Sequence, residues 1–486
     1  MTPLGTRIVP DPRTRILRRA GVVRVLGGDP VSLITPAPAL APLLGGAGGD
    51  DEGFAVRDRA SAALARALTD RGMAHPVPEQ DPGRRLDDVA VVVPVRDDAG
   101  GVAALLEALA DERVRGLRVV VVDDGSATPL GPAAPDVRVL RHEASRGPAA
   151  ARNAGTARAV ADGARVVVYL DADVIPLPGW LDPLLGHLDD PAVAAVAPRI
   201  VAAEPGRWWV RGLETARSAL DMGPRPARVR PRTRVAYVPS AALAVRPAAL
   251  PPVPDGGGAG PFDERMHVAE DVDLCWRADE AGVRLRYEPA ARVAHRHRTR
   301  TAALLARRAF YGTGAAPLAR RHGADVAPAV AAPWSLAVAA GVWSAHPAGV
   351  AVAAVAAGRA WWRTRALVGD GRAAAGLVAR GMAASVRQLP EALLRPYWPV
   401  TAAALLATAG SRARPARGLR RRVAAAAVLE GLWHWWSCRE PGRLPVDEPL
   451  GHVLLHRLDD VAYGVGVWRS AFVARSAAAL RPELTR

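Results

Sequence analysis

The sequence predicts an α/β fold: a doubly wound, mostly parallel sheet, preceded by a small α+β module and followed by a largely helical region. Three observations predict it. Between residues 87 and about 300, short apolar runs alternate with helical stretches, about one strand every 20 to 30 residues. Several of these runs end abruptly in carboxylates, as where Val166–Leu170 meets Asp171-Ala-Asp173. After about residue 300 the composition turns to Ala, Leu, Trp and Arg, and residues 326–358 carry no charged side chain.

The opening module spans residues 1–85. Gly21–Ile34 reads as two short strands around a Gly-Gly-Asp-Pro turn. Ser61–Arg71 places Leu64 and Leu68 at helical spacing, and Gly72 closes the helix. Strands followed by helices look like a small winged-helix-type module, which resembles the peptide-recognition domains accompanying enzymes that modify ribosomal peptides; a packing extension of the next domain is the equal alternative. Pro76–Arg85 is a linker.

The central domain, residues 87–300, begins with strand Val89–Val95. Gly100-Gly101 opens a helix with Val102, Leu105, Leu106 and Leu109 on one face. Leu117–Val122 is a strand running into Asp123-Asp124-Gly-Ser, and Val137–Leu140 is the next. Pro148, tolerated in a first helical turn, starts a helix ending near Gly163. Val166–Leu170 follows, buried on both faces by its unbroken apolar run. Val193–Ala197 is a strand and Val235–Val245 an extended segment. Glu270 to Gly282 reads as a helix burying Leu274, Trp276 and Ala278, and Val283–Tyr287 is the last strand, followed by His295-Arg-His297.

In the closing region, residues 301–486, Pro333 and His346-Pro347 divide the apolar stretch into pieces shorter than the roughly 20 residues a spanning helix needs. Arg412–Arg422 is a basic cluster, followed by an aromatic-rich stretch with Trp433, Trp435 and Trp436. Basic residues beside amphipathic aromatic helices suit contact with the cytoplasmic face of a membrane; an Ala/Leu helical bundle is the alternative.

Composition narrows the function classes. The 486 residues allow two or three domains with sizeable cores. The net charge is +16, and every basic side chain other than His is Arg. No zinc-finger or RNA-binding signature accompanies that charge, so nucleic acid is not the expected partner. Two distant cysteines, Cys275 and Cys438, make no disulfide framework and suit a reducing cytosol. The N-terminus shows no apolar signal-peptide core.

Five motifs carry the chemistry. Val93-Pro94-Val-Arg96-Asp97-Asp closes the first central strand and Asp123-Asp124-Gly-Ser the second. Arg146-Gly147 through Asn153-Ala-Gly opens a helix, Asp171-Ala-Asp173 closes the fourth strand, and Glu270-Asp271 opens a later helix. In an open α/β sheet, ligands sit beyond the carboxyl ends of the strands. Two carboxylates there repel unless a cation lies between them, and a hard divalent ion that also holds phosphate is the natural occupant.

In this order the motifs resemble those of a family 2 inverting glycosyltransferase, over residues 87–297. The resemblance implies the GT-A nucleotide-diphospho-sugar transferase fold. It implies that Pro94, Arg96, Asp123, Asp124, Arg146, Gly147, Asn153 and Asp171 bind a nucleotide sugar, the match at Asp97 being imperfect. Asp171 and Asp173 would hold Mg²⁺ or Mn²⁺, with His295 or His297 as a further metal or phosphate contact unless they form only a solvated basic tail. Asp271, beside Glu270, would be the general base. The opening module, this core and Leu458-Asp-Asp-Val-Ala-Tyr-Gly-Val-Gly-Val-Trp468 together look like the glycosyltransferases of the mycofactocin system. That resemblance implies UDP-glucose as donor, a peptide-derived redox cofactor precursor as acceptor, and a short β-1,4-glucan as product. A membrane-associated transferase acting on a cell-envelope polysaccharide or lipid-linked acceptor is the alternative. The Gln-x-x-Arg-Trp motif of processive enzymes is missing. A catalytically dead sheet serving as a binding module would not need Asp171, Asp173 and Asp271.

Overall fold

A computed structural model describes residues 2–19, 21–45, 53–131, 134, 136–203, 218–296, 301–438 and 449–485. The chain divides into two compact units, residues 1–204 with 219–296, and residues 205–218 with 297–486.

The first unit begins with β1 (Arg7–Pro10), β2 (Arg15–Arg19), β3 (Val22–Gly27), β4 (Ser32–Ile34), β5 (Phe54–Ala55), helix α1 (Arg59–Thr69) and β6 (Ala74–Val77). They form two three-stranded antiparallel sheets, ordered β5-β1-β6 and β2-β3-β4. The expected hairpin is β3–β4, in register Gly27↔Ser32. The Asp58 side chain caps α1 through the Ser61 amide at 2.7 Å, which satisfies one orphan donor of the first turn. Ile8, Val25, Leu64, Ala65, Leu68 and Met73 close a small core. Among the described residues this region has one α-helix, where strands followed by helices were expected. β1 and β6 are four-residue strands containing proline, too short for a visible alternation.

The rest of the unit is one nine-stranded sheet. Its members are β7 (Val89–Val95), β8 (Arg118–Asp124), β9 (Val137–His142), β10 (Val166–Leu170), β11 (Val174–Pro176), β12 (Val193–Ala202), β13 (Ala227–Val229), β14 (Ala242–Val245) and β15 (Arg284–His295). The order is β11-β15-β12-β14-β10-β7-β8-β9, with β13 on β15. β10, β7, β8 and β9 are parallel neighbours, and β14 pairs antiparallel on both sides. This is the doubly wound, mostly parallel α/β sheet expected from the alternation. Helices α2 (Ala99–Ala108), α3 (Ala110–Val114), α4 (Pro148–Ala161), α5 (Asp182–Leu188) and α6 (Glu270–Glu280) cross over it. α4 lies close on β7: a Cβ on Gly155 would stand 2.3 Å from Val92 Cγ1.

Two strand expectations change. Only Ala242–Val245 of residues 235–245 is a strand; the Ala241 carbonyl instead accepts the Asp171 amide at 3.0 Å. The last strand is longer than expected. It continues past Tyr287 to His295, and its register against β12 slips between Pro198↔Glu288 and Arg199↔Arg292. Pro289 lies in that slip, where a residue without an N–H costs no ladder bond.

The second unit is helical: α7 (Thr301–Gly312), α8 (Ala315–His322), α9 (Pro333–Trp343), α10 (Pro347–Val368), α11 (Gly371–Leu394), α12 (Trp398–Thr408), α13 (Arg414–Ser437) and α14 (Pro449–Val473). Pro333 and Pro347 begin helices, as their fixed φ favours. Among the described residues no helix is long and apolar enough to cross a membrane.

Candidate active site

The parallel pairing of β7, β8 and β10 brings their carboxyl ends, and so the first, second and fourth motifs, to one sheet edge. At the end of β7, Pro94 is half-buried and the Arg96 side chain is exposed. Asp97 has φ +57, a left-handed conformation that Asp tolerates better than most. Its carboxylate accepts the Ala127 amide at 2.8 Å, and its own amide donates to Ser126 Oγ at 2.9 Å. The loop after β7 is thereby tied to the loop after β8.

At the end of β8 the two acids build the loop. Asp123 is fully buried and accepts the amides of Ser126 (2.9 Å) and Leu130 (3.2 Å) and the Arg141 guanidinium. Asp124 accepts from His142 Nδ1 (2.7 Å), Ser145 Oγ (2.7 Å) and the amides of Arg146 and Gly147 (both 2.9 Å). Burial opposes its charge, but the Arg146 amide, His142, Ser145 and the Gly147 amide hold it below the usual carboxylate range. In this arrangement the oxygens of Asp123 and Asp124 shape the loops after β8 and before α4. Gly147 has φ +93, which presents the start of α4 without a Cβ penalty.

The third motif turns inward. Asn153 donates from Nδ2 to the Phe262 carbonyl (2.8 Å) and Glu264 Oε1 (3.1 Å), and its Oδ1 accepts the Phe262 amide (3.1 Å). Asn153 therefore clamps the loop before α6. Arg146 reaches Glu264 Oε2 at 3.0 Å with its guanidinium still exposed.

Arg152, in the same motif but assigned no part by the sequence, ties the site together. It is 3 % exposed. Its Nη2 donates to Asp171 Oδ1 at 2.7 Å and its Nη1 to Glu270 Oε1 at 2.9 Å. Burial works against its charge, but Asp171 and Glu270 outweigh it and hold the guanidinium firmly protonated. Phe262 packs against it, 5.6 Å from guanidinium carbon to ring centroid. The sequence signal for it was slight, an Arg following three alanines at the start of the helix.

Glu270 and Asp271 open α6 immediately after Ala269, a non-glycine residue at φ +65. Such a conformation costs roughly 1 kcal/mol and recurs at functional sites. Glu270 is engaged by Arg152 and lies 3.5 Å from Ser240 Oγ. Asp271 accepts the Val272 amide at 2.8 Å and the Ser240 amide at 3.3 Å. Burial, then the neighbouring charge of Glu270, pushes its carboxyl up to about 7, with Arg152 pulling the other way. A carboxylate that titrates near neutrality suits general base work.

Across the sheet edge, β11–β15 pairing sets Val174 opposite His295. His295 Nε2 lies 3.2 Å from Asp173 Oδ2. Asp173 Oδ1 is closed off from solvent and has no hydrogen-bond partner among the described residues. A carboxylate oxygen with no hydrogen-bond partner, next to an imidazole, is a donor pair of the kind a divalent cation takes. His297 lies outside the described residues.

The family model for glycosyl transferase family 2 matches residues 90–249. The pre-mycofactocin glycosyltransferases of two Mycobacterium tuberculosis strains, CDC 1551 / Oshkosh and ATCC 25618 / H37Rv, are each 43 % identical over 495 residues, 99 % of this chain and 98 % of theirs. Among solved structures, the mannosyltransferase PcManGT from Pyrobaculum calidifontis in complex with GDP-Man and Mn²⁺ is 21 % identical over 73 % of this chain and 89 % of its own, at TM-score 0.37. GalNAc-T7 with UDP, GalNAc and Mn²⁺ is 17 % identical over 47 % of this chain and 46 % of its own, at TM-score 0.33. With more than two-fifths identity along nearly the whole chain, and the family 2 model matching its core, the chain belongs to the pre-mycofactocin glycosyltransferases of family 2.

Proposed function

We propose that this glycosyltransferase moves glucose from UDP-glucose to a peptide-derived redox cofactor precursor, pre-mycofactocin, and repeats the transfer to build a short β-1,4-glucan. The observation that carries the reading is the identity to relatives of that name along 99 % of the chain, beyond the 90–249 core shared by family 2 at large.

The loops after β7 and β8 would take the nucleotide, with Pro94 at the base and the exposed guanidiniums of Arg96 and Arg146 toward the phosphates. Asp171, Asp173 and His295 would hold Mg²⁺ or Mn²⁺, which when bound supplies positive charge against the leaving diphosphate. Asp271 takes the proton from the acceptor hydroxyl. That oxygen bonds to the anomeric carbon from the face opposite the diphosphate, the bond to the diphosphate oxygen breaks, and the configuration inverts. Arg152 holds Asp171 and Glu270 in fixed relation, so donor and base keep their spacing.

A second feature concerns place. In the helical unit Trp362, Trp433, Trp436 and Phe472 are exposed, and the basic run Arg412–Arg422 lies in the same unit. This supports contact with the cytoplasmic face of the membrane, and it is what would favour a lipid-linked acceptor instead.

The test is nucleotide diphosphate release from purified protein with Mg²⁺ or Mn²⁺ and a panel of UDP- and GDP-sugars. Release of UDP from UDP-glucose that depends on added pre-mycofactocin supports the proposal. Release that responds only to lipid acceptors moves the assignment to the envelope, and the absence of turnover with any acceptor refutes both.

A further inference from the structure

In the helical unit, α13 and α14 face each other with ligand-type side chains at four-residue spacing. Glu430 and His434 lie on α13 and Cys438 caps its end; His452, His456 and Asp460 lie on α14. Residues four apart share one helix face. The helices run in opposite directions, because His434 meets His452 while Glu430 meets His456.

Three imidazoles converge where the seams meet. His434 Nδ1 and His452 Nε2 are 3.0 Å apart. The ring centroids of His434 and His456 are 4.4 Å apart, and those of His452 and His456 are 5.9 Å apart. One ring nitrogen from each lies within 4.8 Å of the others. His452 and His456 are 3 % and 1 % exposed. Cys438 Sγ stands 3.7 Å from His434 Nδ1. Glu430 Oε2 lies 3.0 Å from His456 Nε2, the carboxylate–histidine contact that orients metal-ligating imidazoles.

The acids nearby are already matched by cations. Arg457 pairs with Glu430 and Asp460, Arg395 with Asp459 and Asp460, and Arg308 with Asp459. The alternative ligand set of Glu430, His456 and Asp460 thus belongs to an arginine network, and the cation-accepting set is the three histidines. In a tetrahedral site with metal–nitrogen bonds of about 2.0–2.1 Å, ligand nitrogens lie about 3.3 Å apart. The three rings lie nearly parallel, with 14–25° between their planes, so their nitrogens turn toward a common point when a metal is bound. Nitrogen donors with a thiol suit borderline-soft metals over Mg²⁺ or Ca²⁺.

We infer that His434, His452 and His456 form a binding site for a zinc-class divalent transition metal, with Cys438 as fourth donor, that staples α13 to α14. The site is separate in residues and in ligand chemistry from the acidic one at Asp171 and Asp173.

The experiment uses the full chain carrying a tag without histidines, stripped with a chelator and titrated with Co²⁺ and then Zn²⁺. The expected result is one equivalent bound tightly, with the intense visible absorption of tetrahedral Co²⁺, a thiolate-to-metal band at shorter wavelength that is lost in Cys438→Ser, and displacement of both by Zn²⁺. The Asp171→Asn/Asp173→Asn variant should keep this signal. A triple His434→Gln/His452→Gln/His456→Gln variant should lose it, with affinity down at least about 100-fold. No tetrahedral Co²⁺ signal in the wild-type chain overturns the site without recourse to any variant. So does a signal that disappears with the aspartate pair, or one that survives in a triple variant of native helicity.

Discussion

Replacing Glu270 with Gln should move the acid limb of the transfer rate to lower pH by about one unit. Asp271 stands at about 7 against a usual 3.8, roughly three units, or on the order of 4 kcal/mol against ionisation at 1.36 kcal/mol per unit. Burial is the largest cause and survives the substitution. The charge of Glu270 comes next, so it contributes less than burial does. Gln keeps the length and can still accept from Arg152, but it carries no charge. Arg152, no longer sharing itself with a charged Glu270, then attracts Asp271 more strongly, which shifts the carboxyl the same way. The sign follows from the role. The base works when ionised, so the rate falls as pH drops through about 7 in the parent and through about 6 in the variant. The assay is kcat/KM for nucleotide diphosphate release across a pH series, which reports groups of the free enzyme. The height of the plateau also falls if Arg152 loosens, so the position of the limb is the readout. A limb that stays in place, or that moves to higher pH, refutes the electrostatic coupling of this pair.

Asp271→Asn keeps the shape and removes the base; transfer should fall about 10²–10⁴-fold while nucleotide binding, read by calorimetry, survives, and unchanged turnover would remove Asp271 from its role. Asp173→Asn should raise the Mg²⁺ or Mn²⁺ concentration needed for half-maximal activity, since it takes a charged oxygen from beside His295; an unchanged metal requirement would count against the site. Gly155→Ala forces a methyl group to within 2.3 Å of Val92 Cγ1 and should cost about 1–3 kcal/mol, seen as a lower urea midpoint with an unchanged slope.

What the sequence showed and what it hid divide along a physical line. Val89–Val95 and Val166–Leu170 were legible to the residue because unbroken Val runs have few other uses. Pro148 and Gly282 marked a helix start and a stop for backbone reasons that hold without tertiary context. Parallel strands then carry their terminal acids to one edge, which is why Asp124, Asp171 and Asp173 were found as a group. What each acid touches was not legible. Asp124 faces four donors drawn from residues 142–147, and a sequence shows its charge but not that its acceptor positions are filled.

The same line explains Arg152. Its partners lie 19 and 118 residues away, with no periodicity linking them, and a buried Arg runs against the usual expectation for that residue type. Only the fold that brings α4 against the start of α6 turns it from an oddity into the cation between Asp171 and Glu270. Ala269 makes the point for the backbone. A glycine at φ +65 would have announced a special turn; an alanine there stays silent, and its strain is held in place by the Ser240 and Val272 amides on Asp271 and the Arg152 contact on Glu270. The precision of the base thus depends on contacts made across the fold, and substitutions at Ser240 or Arg152 should disturb catalysis more than their lack of any proton-transfer role suggests.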